Sequence, residues 1–111
     1  MNRLRVGIIR YAAVAEAIAS ELTLGSMPDC RIGQGRVYIT FRSIGASRWS
    51  VERQVDHALK AAAIARAVFA SDRRIALRKR VQRAIVVVYE DASSVRGCSV
   101  TAKWECVIPA S

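Results

Sequence analysis

Residues 84–108, AIVVVYEDASSVRGCSVTAKWECVI, decide how the rest of the chain is read. Positions 85–89 form an unbroken apolar, mostly β-branched run. That composition favours a pleated backbone, and the lack of polar alternation predicts a strand covered on both faces. A polar turn is expected over Asp91, Ala92, Ser93 and Ser94, closing at Arg96-Gly97. Strict alternation follows. Cys98, Val100, Ala102, Trp104, Cys106 and Ile108 share one face, and Ser99, Thr101, Lys103 and Glu105 take the other. The stretch therefore predicts a hairpin of one inner and one half-exposed strand.

Moving toward the N-terminus, Ser71-Asp72 is expected to cap a helix reaching about residue 83, with Leu77, Val81 and Ala84 toward the core and cations elsewhere. Before it, Ser50 is a fitting N-cap and Glu52 lies in the first turn, where the helix dipole favours a carboxylate. The helix so begun is predicted to run to Ala70. Val51, Val55, Ala58, Ala62, Ala65 and Phe69 make one stripe, and His57, Ala61, Ile64 and Val68 an adjacent one. So apolar a helix is expected to be covered on two sides. Residues 36–44 alternate, with Val37, Ile39 and Phe41 against Tyr38, Thr40 and Arg42, and read as a strand closed by Gly45. Residues 26–34, SMPDCRIGQ, read as a loop. Val14, Ile18 and Leu22 predict a helix from Tyr11, with Gly25 as its left-handed cap. Residues 4–9 fit either a short strand or a first helical turn.

The resulting order is helix, strand, helix, helix, strand, strand. It predicts an α+β domain, 1–111, with a three-stranded, mainly antiparallel sheet and helices packed on one face. The same order is that of a winged helix, the alternative, although long apolar hairpin strands resemble core more than a solvated wing.

At 111 residues and 52% hydrophobic, the chain has the size of one domain and too much apolar content for a disordered tail. Its net charge is +9, and a field of that sign attracts nucleic acid or another acidic partner. Arg outnumbers Lys fifteen to three, so a GC-rich genome could supply part of that charge. Arg3 and Arg5 before an apolar segment look like an export signal, but Arg10 and Glu16 interrupt the segment. No stretch reaches the length of a membrane span. Cys30, Cys98 and Cys106 have neither CxxC nor zinc spacing, and read as reduced thiols of a cytoplasmic protein.

The expected polyanion contacts are Arg73, Arg74, Arg78, Lys79, Arg80 and Arg83, joined by Arg42, Arg48 and Lys103. Guanidinium groups grip phosphate oxygens in pairs, which makes a helix carrying several of them a candidate nucleic-acid element; a solvated surface face is the plainer account. Trp49, His57, Ile64, Val68, Tyr38, Val86 and Val88 are the expected interface residues of a homodimer. For the sheet face, the choice between Val86/Val88 and Ile85/Val87 stays open. A third possibility is an apolar ligand pocket between helix 51–70 and the sheet, lined by Phe41, Phe69 and Trp104. No catalytic constellation, metal set or cofactor motif is apparent. His57 is the only histidine, Gly33-Gln34-Gly35 lacks a phosphate loop's Gly-Lys-Ser/Thr end, and Glu90-Asp91 reads as a solvated turn.

Overall fold

The computed structural model describes residues 9–22, 27–33, 35–72 and 84–109. Its elements are β1 (Ile9–Arg10), α1 (Ala12–Leu22), β2 (Asp29–Gly33), β3 (Arg36–Arg42), a 3-10 turn (Ala46–Arg48), α2 (Val51–Ala70), β4 (Ile85–Val95) and β5 (Cys98–Ile108). The class is α+β. The sheet has four principal strands, extended at one edge by the two-residue β1, in the order β1-β2-β3-β4-β5. Strand β3 lies beside β4, as expected, but the two run parallel, while the other three pairings are antiparallel.

Helix α2 explains the parallel pair. Twenty residues at 1.5 Å each span about 30 Å. That length carries the chain from the Arg42 end of β3 back past its Val37 end. There Val37 N–H donates to the Ala84 carbonyl (3.2 Å), and β4 sets out in the direction β3 took. Ser50 starts α2 as its sequence predicts, its Oγ accepting from Arg53 N–H at 3.2 Å.

The loop expected over 26–34 holds a strand instead. The segment DCRIG has a single β-branched residue, so its propensity is weak. Its pattern of burial nevertheless alternates, with Cys30 and Ile32 in the core and Asp29 paired with Arg31 on the opposite face (2.7 Å). Strand β3 supplies the template, since the tight turn at Gly35 (φ +75°) folds 29–33 straight back onto it. The hairpin turn also shrinks. β4 runs on through 91–95, leaving only Arg96 (φ +51°) and Gly97 (φ +80°) as a two-residue turn with the left-handed signature of type I′. The winged-helix alternative fits poorly here, because β4 is an interior strand of the sheet whose first half, residues 85–89, is buried in the core.

One sheet face carries the core. Cys30, Ile39, Val87 and Cys106 form one cross-strand row, Ile32, Val37, Ile85 and Ile108 a second, and Phe41, Tyr89 and Trp104 a third. Val14 and Ile18 of α1 and Ala58, Ala61, Ala62, Ala65 and Phe69 of α2 close over these rows. The alanines let α2 lie close to the sheet. Two sequence expectations change here. Val51 and Val55 are 74% and 41% exposed, because Trp49, Gln54 and His57 take the inward positions at that end of α2. Cys98 and Ala102 are exposed because β3 stops at the Arg42–Glu90 pair, so the far half of the hairpin extends past the sheet beyond the helices. The helix expected over 73–83, and the Gly25 cap, lie outside the described residues.

Candidate functional site

The face without helices is the first candidate. Its register settles which valines lie there: Val86 and Val88, between Tyr38 and Thr40 on β3 and Glu105 and Val107 on β5. Both are buried, at 1% and 6% exposure, so flanking side chains of this same chain already shield the apolar strip. Around Val88 a shallow depression of about 300 Å³ is bordered by Asp29, Arg31, Tyr38, Thr40, Arg42, Glu90, Lys103 and Glu105. The charges alternate in sign. Arg42 Nε meets Glu90 Oε1 at 3.0 Å, Glu90 pairs across the ladder with Lys103, and Arg31 is bound to Asp29. Such a face has no net sign with which to attract a polyanion.

Arg42 and Lys103 thus share a face, as their sequence positions imply, but each has an acid beside it. They also stand at the Glu90 end of β4, about 17 Å along the strand from Ile85 at roughly 3.3 Å per residue, whereas segment 73–83 joins the sheet just before Ile85. Arg48 is exposed at the end of the 3-10 turn. Arg73, Arg74, Arg78, Lys79, Arg80 and Arg83 lie outside the described residues.

The second candidate is an aromatic cluster at the N-terminal end of α2. Phe41, Tyr89 and Trp104 stack across three strands, with centroids 5.4 Å and 5.7 Å apart and planes within 16° of parallel. His57 descends from α2 with its ring edge-on to Phe41 (4.7 Å) and to Trp49 (5.0 Å). Its Nδ1 is 2.6 Å from the Tyr89 hydroxyl. Trp49 is therefore a half-buried wall of the cluster, capped on its outer side by the Arg53 guanidinium 4.4 Å from the ring centroid.

The electrostatics of the cluster hold both polar groups neutral. Burial lowers the His57 pKa below its usual 6.5, and the Arg53 and Lys60 charges add to this, against an opposing contribution from Asp56. Burial likewise raises Tyr89 above the ordinary phenol range, with Cys106 adding to it. A pair shifted in these directions is a poor source of imidazolium and of phenolate. The His57 Nε2 and Trp104 Nε1 atoms are buried with no hydrogen-bond partner among the described residues.

A third arrangement escaped the sequence. Asp91, read as part of a solvated turn, accepts hydrogen bonds from Ser47 N–H (2.8 Å) and Gly45 N–H (3.2 Å). Burial pushes its carboxyl up, but the hydrogen bonds from Ser47, Gly45 and Ile44 outweigh this and hold it below the usual range. The loop between β3 and α2 needs that anchor, because Ser43 (φ +56°) and Gly45 (φ +74°) both sit in the left-handed region. The contact spans 44 residues of sequence, and the Ser-Gly composition of the loop shows only that it turns.

Ile64 and Val68 are half-buried, lining a groove of about 420 Å³ between α1 and α2 with Ala17, Glu21, Ala63, Ala67 and Ser71. Phe41 and Phe69 are each 1% exposed, packed on Tyr89 and Tyr11. Among the described residues, no three His, Cys, Asp or Glu side chains are grouped to hold a metal ion, and no helix is long and apolar enough to cross a membrane. Comparison of the chain with protein-family models, with curated proteins and with solved structures finds no significant match.

Proposed function

We propose that this protein is a small non-enzymatic binding or regulatory module of the cytoplasm. Its partner is polyanionic, nucleic acid before an acidic protein surface, and is engaged through Arg73, Arg74, Arg78, Lys79, Arg80 and Arg83. The partition of charge carries this reading. Six of the eighteen cations fall within 73–83, where no acid stands, and two more are Arg3 and Arg5. All nine acids lie in the described body of the domain, alongside the other ten cations. Nearly the whole net charge therefore belongs to two segments. The larger stands in the sequence between α2 and the buried start of β4.

The test is binding to a labelled mixed-sequence DNA duplex, followed by anisotropy across a salt series. Affinity is expected to fall steeply with salt, by about 0.9 in log–log slope for each phosphate neutralised. The double variant R78E/K79E is expected to abolish binding while the thermal melt stays in place. Binding that ignores salt or survives the reversal overturns the proposal.

A second reading, self-association, is favoured by a specific observation. Val51, Val55 and Leu59 recur every four residues on the outer side of α2 with 74%, 41% and 51% exposure, and Val107 on β5 is 54% exposed. These are large apolar groups that the chain itself leaves in water.

A further inference from the structure

Strand β5 is the last strand of the sheet, and its outer edge has no neighbour among the described strands. Which of its backbone groups point outward follows from two hydrogen bonds on the far side of β4. Val37 N–H donates to the Ala84 carbonyl and Ser43 N–H to the Glu90 carbonyl, so the even-numbered residues of β4 are turned toward β3. The odd ones, Ile85, Val87 and Tyr89, are turned toward β5, where they face Ile108, Cys106 and Trp104. Even-numbered residues of β5 thus bond inward. The N–H and C=O groups of Ser99, Thr101, Lys103, Glu105 and Val107 face the open edge. This is an eleven-residue template with no proline inside it.

Edges of this length are ordinarily protected by charge, commonly lysine. Lys103 could serve that purpose against most strands. Glu105, two residues on, changes the outcome for one partner. When two copies of β5 pair antiparallel about a two-fold axis, outward residues of one must face outward residues of the other. Centring the axis on Lys103 or on Glu105 sets like charges against each other. Centring it on Trp104 sets Lys103 opposite the second copy's Glu105, and does so twice by symmetry. No other antiparallel register places those two charges opposite each other.

We propose that β5 pairs with β5 of a second copy of this chain, antiparallel and centred on Trp104, joining two sheets into one. The proposal rests on the self-association reading and identifies its seam as the strand edge, not the α2 ridge. The two half-buried Trp104 side chains then come together at the non-hydrogen-bonded centre of the ladder, where backbones lie closest. Thr101 pairs with Val107 on either side, and Pro109, which lacks an N–H, ends the ladder.

Sedimentation velocity at physiological salt, over a concentration series, tests this with four variants of the edge and one of the α2 ridge. The wild type is expected to dimerise. Lys103→Glu and Glu105→Lys each place like charges opposite one another twice, and each is expected to raise the dissociation constant about tenfold or more. The swap K103E/E105K restores the opposition and is expected to return within roughly threefold of wild type. Thr101→Pro removes an outward N–H without touching a bond to β4, and is expected to give a folded monomer by circular dichroism. A dimer that survives all four variants but dissociates with Val55→Lys overturns the edge seam and leaves self-association standing. A wild type that is monomeric throughout overturns both, and assigns the edge to a different strand or to solvent.

Discussion

Tyr89 and His57 meet at 2.6 Å between the phenol oxygen and Nδ1, bridging the buried central strand β4 to helix α2 across 32 residues of sequence. The contact fixes the rotation of α2 over the sheet at its N-terminal end. At the other end the corresponding link is made by Tyr11, which packs on Phe69 (4.8 Å) and donates its hydroxyl proton to Asp72.

Breaking the first link has a defined consequence. Tyr89→Phe keeps the ring stack with Phe41 and Trp104 and removes only the hydroxyl, leaving Nδ1 of His57 without its partner. The expected loss is about 1–3 kcal/mol in urea unfolding, that of a buried polar group left unsatisfied. His57 also makes stability pH-dependent. Its folded pKa lies below 6.5, so as pH falls through that value the unfolded chain takes up a proton that the native state refuses. Stability is expected to decline as pH falls below about 6.5, with a slope of up to about 1.4 kcal/mol per pH unit. His57→Phe is expected to flatten that limb; an unchanged slope in the variant contradicts the assignment.

Asp91 is the anchor of the loop between β3 and α2. Asp91→Ala is expected to cost about 1 kcal/mol, as two exposed charge-assisted hydrogen bonds are lost, and to increase amide exchange at Ser47 and Gly45 selectively. Asp91→Asn keeps an acceptor and is expected to fall between the two. Because the carboxyl is held below its usual range, this contribution is present above about pH 4 and fades as pH drops further. Exchange rates at Ser47 that do not move in the alanine variant contradict the anchor.

The two sides of α2 are expected to respond to different extents. Ala61, at 0% exposure, faces the core, and Ala61→Leu is expected to destabilise by roughly 1–3 kcal/mol through overpacking. Val55→Ala, on the outer ridge, is expected to stay within about 0.5 kcal/mol when measured on the monomer. Equal effects at the two positions contradict the orientation of the helix.

The α+β class, the hairpin, a strand beginning at Arg36 (expected to reach 44, ending at Arg42), the Ser50 cap and the extent of α2 were all legible in the sequence. Each rests on a local cause: β-branched composition, alternation, a hydroxyl cap, or apolar spacing near 3.6. The fold of 29–33 was not legible, because DCRIG becomes a strand only once β3 stands beside it. Nor was the direction of β4, which the length of α2 sets by returning the chain to the start of β3. The open valines were legible only as two alternatives, since a strand apolar at every position carries no mark of its own register. Charge gave the candidate cations but not their neighbours. Glu90 beside Arg42, Asp91 beneath the 43–48 loop and Tyr89 against His57 join residues 32 to 48 positions apart. Patterns with periods of two or 3.6 residues report which face a side chain takes. What meets it there is decided by how whole elements pack.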